Sequence, residues 1–210
     1  MSAHHAPDWV PHRSGTGIKD DGILATWLGL LSFTFFYGTF LAANVYLRGW
    51  APDKFKVDFG ANANLPSLTF ICLLVAGFIV LIAGSYFRNN QYKKFQVAMI
   101  LATIAFVGYA ILQMWLLVYT YYLGTAAWTT HLALYSLQFA LAVIDIIFVL
   151  MIGKNFAERN ESALRRLVPA AMSVFMYTVL IGVVTLVVTD MLTVGQFASW
   201  CGEKFTSLVK

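Results

Sequence analysis

The chain has 210 residues, 60% of them apolar and only 11% charged, against about 25% charged in a typical soluble domain. Its 14 Lys and Arg and 10 Asp and Glu are bunched, and none falls in 22–47, 59–87, 95–144 or 167–189. Each window accommodates a membrane helix of about 20 residues, and 95–144 accommodates two. A soluble domain, a disordered chain and a secreted disulfide scaffold are excluded. The fold class is all-α: a polytopic membrane protein with a bundle of five transmembrane helices.

Residues 1–21 read as a polar cytoplasmic tail with His4, His5, His12, Pro7 and Pro11. No apolar segment follows a basic start there, so the tail does not read as a secretory signal. The spans are expected at about 22–46, 66–87, 95–122, 129–153 and 167–189, together forming one unit over 22–192. Asp20 and Asp21 suit the N-terminus of the first. Pro66 and Pro169 suit the first turns of the second and fifth. Residues 193–210 place Phe197, Trp200, Phe205 and Leu208 at spacings that suit an interfacial helix or a surface tail.

Basic residues in short loops set orientation. Arg13, Lys19, Arg88, Lys93, Lys94, Lys154, Arg159, Arg165 and Arg166 share one side; Arg48, Lys54, Lys56, Lys204 and Lys210 share the other. The heavier side is expected inside, with the N-terminus inside and the C-terminus outside. Trp50, Tyr119, Tyr121, Tyr122, Trp128 and Trp200 then mark the outer boundary. The net charge of +4 reads as a topology signal, and no nucleic-acid partner is expected. Gly77 and Gly84, one heptad apart, and Gly29, Gly38, Gly108 and Gly182 offer close-approach points between helices.

Few residues can carry chemistry. Asp145 is the one acid well inside a span. A carboxylate there is costly and normally faces a partner or a water-filled space, so it is expected protonated or paired, as a proton or ion site or as a structural hydrogen bond. His131, at the start of the fourth span, is expected at the interface in contact with water or headgroups. Gln113 and Gln138 are expected to bond across helices, and Asn44, Ser32, Thr34 and Thr39 add polarity to the first span. Asp190 is expected hydrated at the outer end of the fifth. Cys72 and Cys201 have no partner at metal-ligand spacing. Only His131 lies in a span, so neither a bis-histidine haem nor a three-histidine copper centre can be built from this chain alone. No catalytic, cofactor or metal residue is assigned. Equipment for a transporter is thin: a single intramembrane acid, and no interrupted helices in matching positions. The residues alone indicate an accessory or assembly subunit of a membrane complex.

Several stretches resemble the subunit III family of haem-copper (cytochrome c or quinol) oxidases. Phe35-Phe36-Tyr37-Gly38 leading to Trp50-Ala51-Pro52 resembles that family's Phe-Phe-x-Gly helix and its following loop. Leu65-Pro66-Ser67-Leu68-Thr69, the turn Arg88-Asn89-Asn90-Gln91-Tyr92-Lys93-Lys94 and Tyr109-Ala110-Ile111-Leu112-Gln113 are similar to its next elements. The likeness covers about 22–117, roughly half the chain. The family's buried glutamate falls near Ser32 here, and its Glu-Tyr pair falls on Leu116-Leu117. The fourth span lacks the family's Gly-x-His-x-x-His. The fifth has Val174-Phe175-Met176-Tyr177 where the family has Trp-His-Phe-x-x-Asp. The resemblance implies a divergent five-helix form without cofactors of its own. It would pack on the catalytic subunit I and associated subunits that carry haem and copper, and bind phospholipids. It would support proton uptake and complex stability in a bacterial or archaeal inner membrane. The alternatives are a related five-helix protein of nitric oxide reductase, a small proton-coupled transporter or channel using Asp145, and an assembly factor.

Overall fold

A computed structural model describes residues 21–51, 54 and 64–191. Among them are five helices, all long and apolar enough to cross a membrane, and no strands: a multi-pass, all-α chain. They are α1 (Asp21–Trp50), α2 (Leu65–Arg88), α3 (Tyr92–Tyr122), α4 (Thr125–Ala157) and α5 (Glu161–Leu186), the last running on into a π-helical turn at Val187–Met191. The two tails, 1–20 and 192–210 with Cys201, lie outside the described residues.

Short connections make successive helices antiparallel neighbours. Asn90 (φ 57°) and Arg159 (φ 52°) turn the chain in the left-handed region at the two like-sided loops, and Gly124 (φ 107°) does so at the opposite one. Asn160 caps α5 by accepting from the Ala163 amide at 3.2 Å, one of the amides a helix start leaves without an internal partner. That cap starts α5 earlier than the apolar window suggests. Pro169, expected in the first turn, therefore lies inside the helix. Pro66 does sit in the first turn of α2.

Helices α2, α3, α4 and α5 close into a ring, while α1 packs outside it against α4 and α5. Only 11% of the apolar window of α1 is buried, against 33% to 44% for the others. Small residues bring the ring together: Ala76, Ala83, Ala98, Ala102, Ala142 and Ala171 are buried. A Cβ on Gly77 would come 2.6 Å from Val179 Cγ2, and one on Gly182 would overlap Leu73. Gly84 also faces α5, at Met172, and Gly108 faces Cys72. A Cβ on Gly29 or Gly38 would meet nothing within 4 Å, so they are not close-approach points among the described residues.

The ring interior has two unlike halves. Toward the Lys154 end it is apolar, with Phe95, Phe106, Val149, Ile152, Val168 and Phe175 in one cluster. Toward the other end it is polar, with Thr69, Gln113, Gln138, His131 and Thr185 all buried.

Candidate functional site

The polar half is built on one stripe of α4. His131, Tyr135, Gln138, Ala142 and Asp145 alternate at four- and three-residue spacings, which keeps them on one helix face. All five are buried. The expected contact of His131 with water or headgroups is corrected: it is 1% exposed. Helix α4 begins at Thr125 rather than near Thr129, so about one more turn lies between His131 and the helix end, roughly 6 Å at 1.5 Å per residue. Its Nδ1 lies 2.6 Å from the Thr130 hydroxyl, and its ring tilts against Tyr135.

Gln138 is the hub. Its Nε2 donates to the Thr185 hydroxyl at 2.5 Å and to the Ile181 carbonyl at 3.3 Å, and its Oε1 accepts from the Tyr109 hydroxyl at 3.4 Å. Thr185 gives its own proton to the Ile181 carbonyl at 2.8 Å. The bond between Thr185 and Tyr37 therefore has Tyr37 as donor. Four helices, α1, α3, α4 and α5, meet in this one network. Gln113 Nε2 donates to the Tyr135 carbonyl at 3.2 Å, while its Oε1 is buried without a hydrogen-bond partner. Thr69, Tyr109, Gln113, Tyr135, Gln138 and Thr185 share in lining a cavity of about 20 Å³.

Asp145 is fully buried, and neither carboxyl oxygen meets a donor at hydrogen-bond geometry. Thr178 and Tyr109 are its polar neighbours, but the Thr178 hydroxyl donates back to the Val174 carbonyl at 3.1 Å. Lys154 and Glu158 form an exposed ion pair at 4.0 Å. No cation among the described residues pairs with Asp145.

A second polar seam holds α1. Tyr177 donates to Thr34 at 2.8 Å, since Thr34 gives its proton to the Leu30 carbonyl. Asn44 Nδ2 donates to the Thr130 carbonyl at 2.6 Å, and Arg48 Nη1 donates to the Val188 carbonyl at 2.7 Å. That last bond puts a cation on the carbonyl end of α5, where the helix dipole favours it. Arg48, counted in the sequence as a loop charge, belongs to α1.

Gln113, Gln138, His131 and Asp145 thus lie in one polar interior, while Ser32 is exposed on the outward face of α1 and apart from them. The residues the sequence reading missed are Tyr37, Tyr109, Tyr135 and Thr185. Tyr109 and Tyr135 stand four and three residues before Gln113 and Gln138, on the same helix faces; Tyr37 and Thr185 have no such spacing to them. Cys72 is free, its thiol directed to the Ala105 carbonyl at 3.4 Å. No group of three or more His, Cys, Asp or Glu that could hold a metal occurs among the described residues. Comparison with family models, with curated proteins and with solved structures gives no match.

Proposed function

We propose that the chain is a cofactor-free, subunit III-like component of a respiratory haem-copper oxidase. It packs on a catalytic subunit that carries the haem and copper, with its N-terminus on the inner side of a bacterial or archaeal inner membrane. The sequence likeness over 22–117 motivates the reading, and the uneven distribution of Lys and Arg supports the orientation. The observation that carries it is the outward face of α1. Ala25, Gly29, Ser32, Phe36, Thr39 and Ala43 alternate at four- and three-residue spacings, and every one is exposed. All but Phe36 are small, as helix contacts in lipid favour, and no helix among the described residues covers them. A groove of about 310 Å³ between α3 and α4, lined by Gln96, Met99, Ile100, Leu150 and Lys154, suits a phospholipid chain with its headgroup at the lysine.

Mild purification of the tagged chain from its native membrane is expected to bring down a protein with a haem spectrum. Gly29→Leu with Ser32→Leu should cut the recovered haem about tenfold, equivalent to ~1.4 kcal/mol of association, without changing the chain's own melting. Absence of haem from the native preparation would end this reading, as would full recovery with the double variant.

Asp145 favours a second reading, a small proton-coupled transporter or channel, because an unpaired acid in a membrane interior is by default a functional candidate. Under it, Asp145→Asn abolishes proton-dependent flux in liposomes. Flux equal to that of the native chain removes the reading.

A further inference from the structure

We infer that the cavity beside Gln113 is a binding site for one water molecule, and that this water hydrogen-bonds α2 to the polar network of the other helices. The inference concerns the ring interior and is independent of what packs on the outward face of α1.

Two observations carry it. The first is a buried acceptor at the cavity wall. Gln113 is 0% exposed and lines the cavity. Its Nε2 is committed to the Tyr135 carbonyl, while its Oε1 has no donor among the described residues. Inside a bilayer such an oxygen has no bulk solvent to turn to.

The second is fit. The cavity of about 20 Å³ exceeds the roughly 10–15 Å³ that one water needs. It is far below the roughly 300–1,000 Å³ of sites for organic ligands. No carboxylate lines it, so nothing there would balance a cation. Pro66, in the first turn of α2, and Leu186, the last residue of α5, also line it. The site therefore lies toward the end of the ring where α2 starts and α5 stops, away from the apolar cluster of Phe106 and Phe175.

A buried water takes two to four polar partners, and three are in place. The water donates one proton to Gln113 Oε1. It donates the other to the Thr69 hydroxyl, whose own proton goes to the Leu65 carbonyl at 2.8 Å, leaving its oxygen to accept. It accepts from the Tyr109 hydroxyl. The Tyr109 bond to Gln138 Oε1 is 3.4 Å, long against about 2.7–2.8 Å for an ordinary O–H···O bond, so that proton is available to share. Thr185 lines the cavity too, but its proton is given to the Ile181 carbonyl. The network through Gln138 joins α1, α3, α4 and α5 directly. The water adds α2 through Thr69.

The test is water-edited NMR of the full chain, labelled at glutamine and phenylalanine, in lipid nanodiscs. At short mixing times magnetisation is expected to pass from water to the Gln113 side chain and not to the rings of Phe106 and Phe175. Gln113→Met assigns the signal, and Thr69→Val, which keeps the shape and removes an acceptor, should weaken the transfer. A double-mutant cycle on unfolding reads the bridge itself. Thr69 and Gln113 share no direct bond, so each single variant loses the same bridge and the double loses it only once. The double variant should fall short of the product of the single effects by about fivefold, ~1 kcal/mol of coupling. If Gln113→Met does not fold, Gln113→Asn supplies the assignment and the native chain decides. A Gln113 side chain as dry as the two rings overturns the inference, as do single effects that multiply without coupling.

Discussion

Gly77→Ala is expected to destabilise the bundle by about 1–3 kcal/mol, the usual cost of overpacking a filled interior. The new Cβ would stand 2.6 Å from Val179 Cγ2. Val179 is β-branched on a helix, so one rotamer is strongly preferred and its methyl cannot swing aside cheaply. Relief therefore requires α2 and α5 to separate, and that contact closes the four-helix ring. Gly84→Ala provides the contrast one heptad away. There the nearest atom is Met172 Cε at 3.4 Å, the end of a flexible thioether, and the substitution should be close to neutral. Unfolding measured in mixed micelles decides the matter. Equal effects at the two positions would mean that the α2–α5 approach is looser than the structure has it.

Asn44→Leu combined with Tyr37→Phe is expected to release α1 from the ring. Each substitution removes one of the bonds that join α1 to α4 or α5. Interhelical hydrogen bonds in membranes average about 0.6 kcal/mol with a maximum near 1.7, so the pair should cost roughly 1–3 kcal/mol. The apolar contacts of α1 give little in return, because lipid is as good a neighbour for Leu and Phe as another helix is. Spin labels at the exposed Leu28 and Leu180 read the result. The distance distribution should broaden and move outward in the double variant and lie between the two in each single one. A distribution unchanged in the double variant would show that these two bonds are not what holds α1.

Much of this architecture was legible in the sequence. The positions of the charges delimited five spans, because a helix in hydrocarbon cannot carry what it cannot neutralise. Asp145, Gln113 and Gln138 were visible for the same reason: polar groups stand out against an apolar background. The errors came where a boundary was set by hydropathy and the helix was extended by its cap. Arg165 and Arg166 looked like loop residues, yet they follow the Asn160 cap within α5, which moved Pro169 inside the helix. His131 looked interfacial because four residues of α4 before Thr129 are not strongly apolar. The tyrosines were missed for another reason. Tyr37 and Tyr109 occur in motifs read for family likeness, and an aromatic ring on an apolar face gives no sign of where its hydroxyl bonds. Only the three-dimensional arrangement brings Tyr37 to Thr185, 148 residues away.

That separation has a consequence for how the chain is made. Helix α1 leaves the ribosome first, yet the helices it leans on, α4 and α5, come last. At about 5–20 residues per second, the hydroxyl of Tyr37 waits roughly 7–30 s for Thr185, with the amide of Asn44 waiting beside it for Thr130. During that interval α1 is a lone helix with a half-polar flank and no kin to shield it. The hydrogen bonds that fix α1 in the bundle can therefore form only after α4 and α5 have been made.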